Sequence, residues 1–156
     1  MTFSEYHNRW GKKLVIYTPL ITAFGNMRTL LGSIDIDVEI TDGWRGESEQ
    51  HKALAGGKSN AKFGDSPHNY GMAFDCCPIV DGKLYYEASE FIWKRIGEAG
   101  QKHGLQWGND WDTDGIVNAE DKTPGGKIID RPHFQVKTFK RDKPTLKLYY
   151  EEPPIG

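Results

Sequence analysis

Ser66-Pro67-His68-Asn69-Tyr70-Gly71-Met72-Ala73-Phe74-Asp75, taken with Asp130-Arg131-Pro132-His133 downstream, is the stretch from which fold and chemistry are read. The two segments supply two imidazoles and two carboxylates. Three protein ligands of mixed His and Asp type leave a fourth tetrahedral position for water at a zinc ion, and a carboxylate beside that water can take its proton. The residue types therefore point to a metallohydrolase. His68 and Asp75 lie an odd number of positions apart, so they cannot face one way along a straight strand, where same-face positions differ by even numbers. Gly71 is the expected bend, because glycine tolerates positive φ and close backbone approach. Beyond it, Ala73, Asp75 and Cys77 share one face of a strand, while Phe74 and Cys76 take the other. Taken singly, each part has a blander reading: Ser66-Pro67 and Asp130-Arg131-Pro132 are ordinary turn chemistry, and one histidine is commonly a surface or satisfied core residue. The combination favours the metal.

Working outward, Thr18 reads as a helix N-cap with Pro19 at the first helical position, Leu20, Phe24, Met27 and Leu31 at helical spacing, and Gly32 as the stop. Ile34, Ile36, Val38 and Ile40 alternate with Asp35, Asp37, Glu39 and Thr41, which predicts a half-buried strand delivering Arg45 just past its end. Residues 47–55 read as a short helix closed by Gly56-Gly57, followed by a loop over 58–67. Asp81-Gly82 marks a hairpin between the strand ending near Ile79 and the run Lys83 to Tyr86. Residues 87–103 read as a helix with Phe91, Ile92, Ile96 and Ala99 as its buried stripe, closed by Gly104. Short strands at 105–107 and 133–138 complete an antiparallel sheet packed with helices, an α+β domain.

The pattern S-x-H-x-x-G-x-A-x-D followed by D-x-P-H-F resembles the D-alanyl-D-alanine carboxypeptidase and hedgehog clan of zinc peptidases, and within it the phage L-alanyl-D-glutamate endolysins. The similarity runs from about Thr41 to Gln135 and takes in Gly43-Trp44-Arg45, Glu49-Gln50, Gly57-Lys58-Ser59 and Trp107-Gly108-Asn109-Asp110-Trp111. It implies a hedgehog/DD-peptidase-like fold with His68, Asp75 and His133 as zinc ligands, Asp130 as general base, and Arg45 near the substrate or the developing oxyanion. Ser66, Trp107 and Trp111 are the expected substrate contacts, with a place in the core as the alternative for the two tryptophans. Carboxypeptidases and dipeptidases of the clan typically place Glu three residues before the last His, often with Trp immediately before it. Asp130 and Pro132 stand there instead, which resembles the endopeptidase branch.

A length of 156 residues with 37% hydrophobic and 12% aromatic content suits one domain spanning 1–156, its core over about 18–139 and a basic tail over 140–156. The net charge of -2 gives no cue for nucleic acid. Lys137, Lys140, Arg141, Lys143 and Lys147 make the tail basic, a solvated face or a contact for anionic wall polymers. No apolar run approaches a membrane span and no h-region follows Arg9, Lys12 and Lys13. The expectation is a monomer without stable membrane insertion, made in a host cytoplasm and reaching the wall after membrane permeabilisation. Cys76 and Cys77, adjacent in a strand, cannot staple distant segments. They read as small buried hydrophobes, with Cys77 as an alternative zinc thiolate.

Asp110 to Asp121 reproduces a twelve-residue calcium loop, with oxygen donors at Asp110, Asp112, Asp114, Asn118 and Asp121 and glycine at the sharp turn. Asp121 is shorter than the usual bidentate Glu, and Lys122 to Gly126 offers no exit helix. An acidic solvent loop is the alternative. His7, His51 and His103 read as surface or helix-end residues. The expected function is endolysin cleavage of the L-Ala-D-Glu bond of peptidoglycan stem peptides, with zinc and possible calcium as cofactors. The alternatives are a D-Ala-D-Ala carboxypeptidase or dipeptidase, and a catalytically silent, metal-stabilised wall-binding module.

Overall fold

The computed structural model of the chain describes residues 1–110 and 130–154. Strands β1 (Phe3–His7) and β2 (Lys13–Tyr17) pair antiparallel, with Phe3 opposite Tyr17 and His7 opposite Lys13. This hairpin was not read from the sequence, because Phe3 and Tyr6 are three apart and break a period of two. Its Leu14 and Ile16 enter the main core, which therefore begins ahead of Thr18. Helix α1 (Thr18–Gly32) buries Leu20, Phe24, Met27 and Leu31, the stripe its spacing predicts. The cap is displaced by one residue. Tyr17 caps, and the Thr18 hydroxyl is bonded to Ser4 Oγ at 2.7 Å.

Strand β3 (Asp37–Asp42) starts later than its alternation suggests. Both Ile34 and Ile36 donate their N–H to Leu31 O in the turn leaving α1, Asp35 adopts φ +61°, and Ile34 is 51% exposed. Helix α2 (Glu47–Ala55) follows, then a 3-10 turn at Pro67–Tyr70 and strand β4 (Ala73–Val80). Asp81 and Gly82 both take positive φ, the backbone of a type I′ hairpin, and lead into β5 (Lys83–Leu84). Helix α3 (Glu90–Lys102) begins three residues later than expected, where Ser89 Oγ accepts from Ile92 N. Its core stripe is Trp93, Ile96 and Ala99, whereas Phe91 is 62% exposed beneath the Arg95 guanidinium at 4.7 Å. The indole supplies more apolar area than the phenyl, and its Nε1 reaches Tyr86 O.

Strands β6 (Leu105–Trp107) and β7 (His133–Val136) complete the main sheet, and a short helix, α4 (Phe139–Asp142), follows. The order is β3-β4-β7-β6, antiparallel throughout, with β5 on the far part of β4. The α+β expectation holds. Phe74 and Phe134 stack at 5.6 Å between the sheet and the helices, Phe24 meets Phe74 edge-on, and all three are buried. Each contributes roughly 1.5–3 kcal/mol of burial. Gly97 is required by this packing, because a Cβ there would lie 2.2 Å from the Trp107 indole. Cys76 and Cys77 are free, buried core residues. Burial raises the Cys76 thiol well above its ordinary value and pushes Cys77 up to about 11, so both behave as inert hydrophobes.

The segment from Phe139 onward packs back onto the body. Phe139 sits with Tyr70 and Met72, and Tyr150 O accepts from Glu47 N at the start of α2. Among the described residues, no helix is long and apolar enough to cross a membrane.

Candidate metal centre

Three local devices bring the centre together. The first is the Ser66 to Gly71 turn, in which Ser66 Oγ accepts from His68 N at 3.2 Å and Asn69 Oδ1 accepts from Ser66 N at 3.3 Å, a reciprocal capping box. Gly71 ends the turn at φ +72°, the expected bend, and a Cβ there would meet Phe3 at 2.9 Å. The second is β4, which carries Asp75 opposite His133 on β7. The third is Gly108, whose N–H bonds His133 O and whose carbonyl accepts from Asp130 N, each at 2.8 Å. A Cβ at Gly108 would lie 2.2 Å from Asp130 O, so the turn carrying Asp130 and His133 needs a glycine there.

The result is a cluster of His68, Asp75 and His133 whose ligand atoms all lie within 4.8 Å of one another. Asp75 Oδ1 is 3.2 Å from His68 Nε2 and 3.3 Å from His133 Nδ1. Donors on a tetrahedron of zinc radius stand about 3.3 Å apart. The other nitrogen of each ring is committed elsewhere: His68 Nδ1 donates to Gly43 O at 2.7 Å, and His133 Nε2 donates to Gln135 Oε1 at 2.7 Å. In their neutral forms both imidazoles therefore turn lone pairs toward the carboxylate, an arrangement that a metal cation at the centre satisfies. The donor set and its outer partners fit a divalent metal. Burial raises the Asp75 carboxyl, but the positive charge and hydrogen bonds of the two imidazoles when protonated, His68 foremost, outweigh it and hold the group well below its usual range.

The cluster opens into a cleft of about 1050 Å³ whose lining includes Arg45, Asp130 and Pro132 as well as the three candidate ligands. Arg45 is fixed by Asp42 Oδ2 at 2.9 Å and lies 3.6 Å from Asp75 Oδ2. Behind it, the buried side chains of Gln50 and Asn69 share a hydrogen bond of 3.1 Å. Asp42, Asn69 and Gln135 escaped the sequence reading. Gln135 left a usable signal, since it stands two residues after His133 and shares its strand face.

Other expected site residues fall elsewhere. Trp107 is 2% exposed with Nε1 on Arg131 O, so it belongs to the core and not to the groove wall. Ser66 reaches the cleft lining but uses its hydroxyl as a cap. Cys77 is not part of the metal cluster among the described residues. Asp110 is buried and accepts from Gln101 Nε2 at 2.7 Å. Trp111, Asp112, Asp114, Asn118 and Asp121 lie outside the described residues. His7 and His51 are exposed, and His103 is the half-buried C-cap of α3.

Comparison with known proteins agrees with this geometry. The family model described as D-alanyl-D-alanine carboxypeptidase matches residues 59–116. The peptidoglycan L-alanyl-D-glutamate endopeptidase CwlK of Bacillus subtilis is 31% identical over 91 residues, covering 49% of this chain and 54% of that protein. Over part of its length the chain is thus similar to the D-alanyl-D-alanine carboxypeptidase family and to a peptidoglycan endopeptidase. It spans about half the length of the curated relative it matches. Among solved structures of the clan fold, the Serratia marcescens L-Ala D-Glu endopeptidase ChiX superposes with a TM-score of 0.59 at 19% identity, covering 82% of this chain and 84% of that one. A vancomycin-resistance D,D-pentapeptidase, VanY, in complex with Zn(II), gives 0.60 at 13% identity, with 90% and 83% covered.

Proposed function

We propose that the chain is a zinc endopeptidase that hydrolyses the L-alanyl-D-glutamate bond of peptidoglycan stem peptides. The observation that carries the reading is the convergence of three ligand atoms around Asp75, at a cleft that Asp130 and Arg45 also line. His68, Asp75 and His133 would hold the metal, leaving one position open for chemistry. A zinc ion there supplies a water acidified toward neutral pH and a Lewis acid for the scissile carbonyl.

The remaining work falls to the chain's own groups. Asp130 accepts the proton of the attacking water and returns it to the leaving amine, so the same carboxylate serves as base and then acid. Arg45, held by Asp42, presents a fixed positive charge beside the carbonyl oxygen as negative charge develops on it. Gly43 and Gln135 keep the two imidazoles in the tautomers that face the metal.

The aspartate three residues before the last ligand and the likeness to CwlK and ChiX support the endopeptidase branch. The family model and the VanY likeness favour a D-Ala-D-Ala carboxypeptidase as the second reading. Mass spectrometry of muropeptides incubated with the zinc-loaded chain separates them. A new amino-terminal D-glutamate is expected, whereas release of free D-alanine alone supports the second reading. The biological setting proposed with this activity is endolysin action on a host cell wall.

A further inference from the structure

One wall of the cleft is built by the exit of α2 and the loop after it, and it brings Lys52 and Lys58 into the lining. Gly57 at φ +73° turns the chain so that Lys58 N bonds Ala53 O at 2.9 Å and Gly57 N bonds Leu54 O at 3.3 Å. That closure sets Lys58 back beside the residue following Lys52. Both side chains are exposed, and among the described residues neither ammonium has an ion-pair partner. Glu49, one turn before Lys52 on the same wall, pairs with neither.

The loop is anchored to the metal centre. Gln50 is fully buried, and its Nε2 donates to Ser59 Oγ at 3.0 Å and to Ala61 O at 2.9 Å. Its Oε1 accepts from Arg45 Nη1 at 3.1 Å, and the same guanidinium lies beside Asp75. A continuous polar wall therefore links the metal residues to the lysine pair. A single lysine in the last turn of a helix is ordinary dipole chemistry. Here two ammonium groups without an ion-pair partner among the described residues line one cleft, Lys52 on α2 and Lys58 at the start of the loop that a buried glutamine ties to the metal wall.

We infer that Lys52 and Lys58 form a subsite for a carboxylate of the substrate. This rests on the reading of the cleft as the site of stem-peptide hydrolysis. A glutamyl residue released at its amine carries two carboxyl groups. One continues the stem, and the other is either a free acid or a neutral amide. The lysine pair selects the free acid, because the amide offers no charge to repay desolvation of the ammonium groups.

The test compares two synthetic stem peptides that differ only in amidation of that carboxyl, using the full zinc-loaded chain and its Lys52→Met, Lys58→Met double variant. The parent is expected to prefer the acid by about tenfold in kcat/KM, carried by KM and diminished by added salt. In the double variant, at unchanged zinc content, the ratio falls to about one, and Lys58→Arg retains the preference. Equal cleavage of both peptides by the parent, or a preference that survives the double variant, overturns the subsite while the hydrolase reading stands. Cleavage of neither peptide by the parent overturns that reading and the subsite with it.

Discussion

Glu39 and Asp75 are acids on neighbouring strands, and their surroundings differ in kind. Glu39, with 3% of its side chain exposed, receives Tyr6 Oη at 2.5 Å, Ile40 N at 2.8 Å and Arg28 at 3.0 Å on Oε1, and Arg9 N and Nε on Oε2. Its lone pairs are filled by donors of the chain itself. Asp75 keeps 20% of its side chain exposed toward the cleft and faces two imidazole nitrogens whose partner nitrogens donate their N–H elsewhere. A cluster closed by its own donors holds structure together, whereas one that converges acceptors and leaves an opening is arranged to take a cation.

The largest expected effect that sharpens this contrast lies at the open cluster. Asp130→Asn should retain zinc and the folded state while kcat on stem peptides falls by about a hundredfold or more, the usual contribution of a positioned acid/base group. Turnover at the parent rate removes Asp130 from the mechanism. Next, Glu39→Ala should cost about 2–3 kcal/mol in denaturant unfolding, since Tyr6, Ile40 N and the two guanidinium groups lose their acceptor. Zinc content should not change. An equal loss of metal from Glu39→Ala would break the contrast between the two clusters.

Gln135→Leu should weaken zinc binding by about tenfold in a chelator competition, because His133 loses the acceptor that fixes its tautomer, and Gln135→Glu should restore it. Affinity unchanged in the leucine variant would show that strand geometry alone orients the ring. The smallest effect is on acid stability. Burial raises Glu39, but the Tyr6 hydroxyl, Ile40 N and the nearby guanidinium groups outweigh it and hold its carboxyl below the ordinary value, and Arg9 does the same for Asp37. Between the folded and unfolded values the unfolded chain binds more protons, so their contribution is full above about pH 5 and declines as pH falls below about 4. Glu39→Gln should flatten that decline in urea midpoints measured against pH.

The open cluster was largely legible and the closed one was not. His68, Asp75, Asp130 and His133 carry short-range spacing, Gly71 announces the bend, and Asp81-Gly82 announces the hairpin. Glu39 looked like a solvent-side residue in an alternating strand, because its partners Tyr6, Arg9 and Arg28 come from a hairpin and a helix far earlier in the chain. The Gly43 carbonyl and Gln50 act through tertiary contacts that no local pattern encodes. Trp107 was misplaced because an aromatic beside glycine says nothing of the direction in which its ring points, and here it lies on Gly97.

The account is tested most directly by metal analysis of the parent, Glu39→Gln and Asp75→Ala after the same dialysis. It predicts about one zinc per chain in the parent and in Glu39→Gln, and none retained by Asp75→Ala, in keeping with a three-ligand site. A parent that binds no zinc, or an Asp75→Ala variant that keeps a full equivalent, would contradict it.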